Sequence, residues 1–251
     1  VVGRVINFQD LTELRRMERD VRRAERMATV GQLAAGIAHE IRNPLASISG
    51  SIELLGQGPR ASEDDRALMA IVTREIDRLN GLISELLDYA NPRPRQVVDF
   101  DLGVLLDETV RVFQQDKGFG EVAIAWTNPG PAPMSADPAK LRQVMWNLLR
   151  NGAEAAAGGG RHVEVTLVLD DAGATIEFAD DGPGIAPSAL PRIFDPFFTT
   201  KRSGTGLGLA TCQSVVVEHG GAIEVSSELG RGTRVLVRLP RRAPESTASI
   251  G

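Results

Sequence analysis

The chain has one cysteine, Cys212, so an intramolecular disulfide is excluded. A single thiol is ordinary in a reducing cytoplasm, and its apolar neighbours predict a small buried side chain without a function. No apolar run approaches the roughly 20 residues of a membrane-spanning helix, and the N-terminus lacks the basic-then-apolar order of a secretory signal. A soluble, cytoplasmic piece is expected. Basic excess is also missing: 28 Lys and Arg face 33 Asp and Glu, for a formal net charge of −5. A nucleic-acid backbone is therefore a poor partner, and protein or small-molecule partners are favoured. A start at Val1 without Met points to a fragment, with any sensor or inner-membrane anchor lying upstream. In 251 residues, 42% hydrophobic content is enough to core one large domain or two ordinary ones.

Apolar residues Met27, Val30, Leu33, Ile37, Ile41, Leu45, Ile48, Ile52 and Leu55 recur at three- or four-residue steps. This spacing predicts a long amphipathic helix over about residues 11–55. Gly56, Gly58 and Pro59 break it, and Ser62 caps a second helix with the seam Leu68, Val72, Ile76, Leu79, Ile83, Leu86 and Ala90. Two such helices form a hairpin whose uncovered apolar surface is relieved by pairing two copies into a four-helix bundle, so a homodimer is expected. Asn91-Pro92-Arg93-Pro94-Arg95 stops the helix and reads as a linker. Beyond it, alternating segments at 121–127, 163–169, 175–179, 222–226 and 233–239 predict strands. Asp137 followed by Pro138 predicts a helix running to about residue 157, and another is expected over about 206–218, ending at Gly220. A small-residue tail after Pro240 is expected to be disordered.

Four constellations can carry chemistry. In His39-Glu40-Ile41-Arg42-Asn43-Pro44, His39 lies roughly 200° around the helix from Ile37 and Ile41, facing water. Glu40 can accept its Nδ1 proton and leave Nε2 as a nucleophile, Asn43 shares its face, and Pro44 loosens the helix one turn on. By itself this reads better as a surface histidine on a kinked helix. Asn147 and Asn151, with Lys140, Gln143 and Glu154, make a polar stripe opposite Leu141, Val144, Met145, Leu148 and Leu149. The alternatives are a solvated face and a pair of amide oxygens presented to Mg²⁺ and phosphate. Asp180-Asp181-Gly182-Pro183-Gly184 follows a strand and reads either as a tight turn or as a carboxylate that accepts from an exocyclic amine such as that of adenine. Finally, Phe194 to Lys201 leads into Gly204-Thr205-Gly206-Leu207-Gly208, a glycine-rich helix start suited to phosphate, with the preceding stretch long enough for a lid.

In this order the segments resemble those of the sensor histidine kinases: His39 to Leu45 is similar to the H box, Asn147 to Ala155 to the N box, Asp180 to Gly184 to the G1 box, Phe194 to Phe198 to the F box and Gly204 to Gly208 to the G2 box. Gly232-Thr233 is similar to the last nucleotide contact of that family. HEIRNPL, FDPFFTTK and GTGLGL resemble most narrowly the nitrogen-regulator and pilus-regulator sensors, and Phe8-Gln9-Asp10-Leu11-Thr12 looks like the end of a PAS sensor domain.

The resemblance implies an α+β fold: a helical hairpin forming a dimeric four-helix bundle, then a two-layer α/β sandwich of the Bergerat ATP-binding type. It divides the chain into a PAS end and signalling helix (1–20), the phosphotransfer hairpin (21–91), a linker (92–97), the catalytic ATP-binding domain (98–240) and the tail (241–251). It implies ATP and Mg²⁺ as cofactors, autophosphorylation of His39, phosphotransfer to an aspartate of a response regulator, and phosphatase activity toward that regulator. Residue by residue it makes His39 the acceptor, Glu40 its activator and Asn43 the phosphatase residue. Asn151 becomes the Mg²⁺ ligand and Asp180 the adenine anchor, with nucleotide contacts from Asn147, Gly182, Gly184, Lys201, Gly204, Thr205, Gly206, Leu207, Gly208 and Thr233. Gly152 stands where the family more often has Ala. The rivals are a superfamily ATPase or chaperone, which resembles this chain but has a Glu base in place of Asn147, and a dimeric scaffold that binds nucleotide without turnover. His162 and His219 need no special role, His219 being placed to complement a helix dipole.

Overall fold

Residues 41, 44–52, 55, 62–90, 93–115, 122–201 and 204–244 are described by the structure, a computed structural model, and the chain divides into two units between Arg93 and Pro94. In the first unit residues 44–52 are helical, and helix α1 spans Glu63–Ala90. A reciprocal cap fixes its start. Ser62 donates to Asp65 Oδ2 from both its amide (3.0 Å) and its hydroxyl (2.7 Å), while the Asp65 amide donates back to Ser62 Oγ (3.1 Å). Glu63, Asp64 and Asp65 add negative charge at the positive end of the helix dipole. Of the expected seam Ile76 is buried and Ile83 and Leu86 are half-buried, whereas Leu68, Val72 and Leu79 are exposed.

The second unit contains all five expected strands within a residue or two at each end: β2 (Ala123–Thr127), β4 (His162–Leu169), β5 (Gly173–Asp180), β6 (Ala222–Glu228) and β7 (Gly232–Pro240). They form one sheet in the order β2-β4-β5-β7-β6, parallel at β2/β4 and antiparallel elsewhere. Three further elements join them that the sequence pattern did not assign. Short strands β1 (Val98–Asp101) and β3 (Pro133–Ala136) pair with each other, and helix α2 covers Leu102–Gln114. Helix α2 was legible in the spacing of Leu102, Leu105, Leu106, Val110 and Phe113, all buried, and in Asp101, whose side chain accepts from the Val104 amide.

Helices α3 (Pro138–Ala157) and α4 (Gly208–Glu218) complete the helical layer. The apolar faces of α2, α3 and α4 share one core with Val165, Leu167, Ile176, Phe178, Val237 and Leu239 of the sheet. Phe113 meets Trp146 edge-on, with ring centroids 5.1 Å apart. On α3, Asp137 Oδ1 accepts from the Ala139 and Lys140 amides at 3.0 and 3.1 Å, and Pro138 occupies the first turn, where a missing amide costs nothing.

Three expectations change on this scaffold. His219 is not a charged partner of the α4 dipole. It is buried, its Nδ1 lies 2.7 Å from the Val215 carbonyl, and the Asp137 amide donates to its Nε2 at 3.2 Å, a pattern that requires the neutral tautomer with the proton on Nδ1. Burial lowers its pKa in the same sense. Lys140 does not belong to a solvated stripe. It is buried, and its ammonium donates to both carboxylate oxygens of Glu218 at 2.9 and 2.8 Å. The tail does not begin at residue 241: Ser135 donates to the Arg241 carbonyl, Ala243 donates back to Ser135 and is buried, and of the expected tail only residues 245–251 lie outside the described residues. The linker is also partly held, because Arg95 donates to the Glu218 and Pro244 carbonyls and the Gln96 amide donates to Asp137 Oδ2.

Candidate nucleotide-binding site

One face of α3 is committed to the core by Leu141, Val144, Met145, Leu148, Leu149 and Ala153. At 100° per residue the opposite face then presents Asn147, Asn151 and Glu154 together. Between them and the sheet lies Gly152. A β-carbon there would stand 3.4 Å from the Val163 methyls and 3.8 Å from Asp180 Cβ, which places this turn of α3 directly against the end of β5.

Asp180 is the last residue of β5, paired across the sheet with Val163 and Thr233. Its Oδ1 accepts from the Gly182 amide at 3.0 Å and its carboxylate also accepts from the Thr233 amide, but desolvation outweighs both and raises its pKa above the ordinary value. Asp181 acts within the scaffold instead, its Oδ1 accepting from the Arg161 and His162 amides at 2.9 and 2.8 Å and fixing the start of β4. Gly182 passes so close to α3 that a β-carbon would lie 2.7 Å from the Ala155 carbonyl, so the turn after β5 reaches the helix only with glycine in this position. Gly184 packs as closely on the Glu228 carbonyl. Thr233 is within hydrogen-bonding distance (3.0 Å) of Ser227 Oγ, which also donates to the Gly232 carbonyl (2.8 Å) and accepts from the Ile185 amide (2.8 Å). Ser227 thus ties β6, β7 and the loop after Asp180. Nothing in the sequence marked it, because its role depends on its register opposite Thr233.

Residues 194–201 and 204–208 meet each other. The Phe197 amide donates to the Gly206 carbonyl at 3.0 Å, and both residues adopt positive φ, 65° and 68°. A β-carbon on Gly206 would lie 2.4 Å from the Phe197 backbone, so glycine is required there. The Arg192 guanidinium lies 4.5 Å over the Phe198 ring. Thr205 Oγ1 accepts from the Leu207 amide, and Gly208 opens α4 where a β-carbon would stand about 4 Å from the Asn147 amide group. Asn147 also lies beside the Cys212 thiol, whose complete burial pushes its pKa up to about 12. Gly204 sits against Thr199 and Lys201.

Lys201 closes the arrangement. Its ammonium donates to Asn151 Oδ1 at 3.1 Å and to Glu154 Oε2, and its charge is felt by Asp180. Asn147, Asn151, Asp180, Lys201, Gly208 and Thr233 therefore meet around one end of α3. Asn151 Oδ1 is a hard oxygen donor that already holds a cation, the Lys201 ammonium, so it fits Mg²⁺. Among the described residues no group of three or more His, Cys, Asp or Glu side chains gathers to hold a metal alone. His39, Glu40 and Asn43, together with the expected PAS end at 1–20, lie outside the described residues. Among the described residues no helix is long and apolar enough to cross a membrane.

Comparison with known proteins agrees with this geometry. Residues 136–243 match the family described as histidine kinase-, DNA gyrase B- and HSP90-like ATPase, and residues 29–94 match the His Kinase A (phospho-acceptor) domain. The chain is 38% identical over 227 residues to the sensor histidine kinase ZraS of Escherichia coli O157:H7, covering 89% of this chain and 49% of that protein. The chain spans about half the length of the curated relatives it matches first. It superposes on full-length ShkA in complex with AMPPNP with a TM-score of 0.72 and 27% identity, covering 86% of this chain and 47% of that one. On the histidine kinase ThkA in complex with the response regulator TrrA the TM-score is 0.62 at 28% identity, with coverage of 93% and 68%. With a phospho-acceptor domain followed by an ATP-binding domain, the chain belongs to the sensor histidine kinases of two-component systems.

Proposed function

We propose that the second unit binds ATP with Mg²⁺ and delivers its γ-phosphoryl group to Nε2 of His39, which then passes the group to an aspartate of a response regulator. The observation that carries this reading is the convergence of Asn151, Lys201 and Asp180, drawn from a helix, a loop and a strand end, at one place. Asp180 accepts from the adenine amine. Backbone amides from Gly204 to Gly208 and the start of α4 face the phosphates, with Asn147 beside them and Lys201 offsetting their charge. Asn151 would hold Mg²⁺, which would add to the neutralisation of the phosphate oxygens. Glu40 takes the Nδ1 proton of His39, so that the lone pair on Nε2 is free to attack. Asn43, one turn away, holds a water in line with the regulator's acyl phosphate for the reverse, phosphatase reaction. The exposed Leu68, Ile71 and Leu79 of α1 support a second copy of the chain as the partner of the hairpin. Residues 21–91 serve as the phosphotransfer hairpin and 98–240 as the catalytic domain, working in the cytoplasm.

The test is incubation with γ-labelled ATP. His39→Gln should lose all acid-labile, base-stable label while nucleotide affinity stays unchanged, and Asn151→Ala should lose Mg²⁺-dependent ATP binding while remaining folded. Labelling of the His39 variant at the wild-type rate refutes the acceptor, and unchanged Mg²⁺–ATP affinity of the Asn151 variant refutes the metal ligand.

A further inference from the structure

We infer that Lys201 is a built-in counter-cation that occupies Asn151 until the divalent ion arrives, and that Glu154 is the positioning residue that keeps it there. The inference rests on the reading of Asn151 as the metal ligand. The Lys201 ammonium donates its hydrogen bond to the same amide oxygen, Oδ1, that would ligate the ion, at 3.1 Å, and it pairs at the same time with Glu154 Oε2. Glu154 lies three residues beyond Asn151 on one face of α3, so the two oxygens form a fork that an ammonium fills. Arg150 stays farther off, its Nε 4.0 Å from the other Glu154 oxygen, which leaves Lys201 as the close partner. One amide oxygen cannot hold an ammonium and a divalent ion without placing two cations within a few ångströms, so the two exchange. Before the ion enters, Lys201 bridges Asn151 and Glu154 and so ties residues 199–201 to α3. As the ion enters, Lys201 is released from Asn151 toward the phosphates.

The sign of the effect of Glu154 follows, and it is the opposite of what simple attraction gives. A carboxylate beside a metal ligand should favour Mg²⁺ by Coulomb's law, whereas a carboxylate that holds the competing ammonium opposes it. The pair is partly exposed, with 39% and 36% of the two side chains accessible, so its effect is modest, about two- to fivefold.

The experiment titrates Mg²⁺ against the purified chain at fixed concentration of a fluorescent ATP analogue and reads the half-saturating Mg²⁺ concentration from binding alone. Glu154→Gln should lower that concentration by about two- to fivefold. In a Lys201→Met background, where no ammonium competes, the same Glu154→Gln change should raise it, because only attraction to the ion is lost. A rise or no change in the wild-type background overturns the inference, and so does an effect of the same sign in both backgrounds. Asn151→Ala serves as the control: unchanged Mg²⁺ dependence in that variant refutes Asn151 as ligand, and the exchange falls with it.

Discussion

Replacing Asp180 with Asn tests the nucleotide site at its most constrained point. The carboxylate already accepts from the Gly182 and Thr233 amides, and the proposed function assigns its remaining capacity to the adenine amine. Asn keeps the size and shape but puts an NH₂ group where an oxygen accepted. A hydrogen bond to a charged group contributes about 1.5 to 3 kcal/mol, so ATP affinity should fall roughly 10- to 100-fold. The preference for ATP over GTP should shrink with it, since guanine presents a carbonyl at the ring position where adenine presents its amine. Calorimetric titration with both nucleotides measures this, and a melting curve establishes that the variant is folded. A cooperative melt with wild-type ATP affinity would refute the assignment. The raised pKa adds a pH signature. The folded chain holds the Asp180 proton more tightly than the unfolded chain, so ionising it subtracts from stability as pH climbs from 3.8 through the raised value. Acidification through the same window restores that stability but neutralises the acceptor, so ATP affinity should start to fall at a higher pH than for an ordinary aspartate.

Asn43→Ala should slow dephosphorylation of a purified phospho-regulator far more than it slows labelling of His39; if both rates fall together, its role is structural. Gly152→Ala should stabilise the chain by roughly 0.5 to 1 kcal/mol, since the new methyl makes ordinary contacts with Val163 and removes helix-interior glycine entropy, and a chemical denaturation midpoint that falls would contradict this. His219→Ala should cost roughly 1 to 3 kcal/mol by leaving the buried Asp137 amide without its acceptor. Because burial holds the imidazole pKa below 6.5, that contribution is complete above pH 6.5 and is lost as pH falls through the lowered value, so denaturation curves of the variant should lack this acid slope. Cys212, buried with a thiol pKa of about 12, should resist an aromatic disulfide reagent in the native protein and react at once in denaturant.

Local patterns determined much of this protein before any tertiary contact was considered. The period-2 alternation of Val163, Val165 and Leu167 marks a half-buried strand, and Asp137-Pro138 marks a helix start, because each depends only on neighbouring residues. The segments around Asn147, Asp180 and Gly204 were legible for the same reason. β1 and β3 were not: at four residues each, with Pro133 opening the second, they are too short to show a period, and they exist because they pair with each other across about 30 residues of chain. Long-range packing also decided the environment of the polar residues. Lys140 reads as a solvated lysine on its own helix, and only the arrival of Glu218, 78 residues later, makes its burial tolerable. His219 becomes a neutral link because the capped start of α3 closes over it. Lys201 reaches Asn151 and Glu154 only because the loop after Phe198 folds onto α3, a meeting of side chains about 50 residues apart that no local spacing encodes.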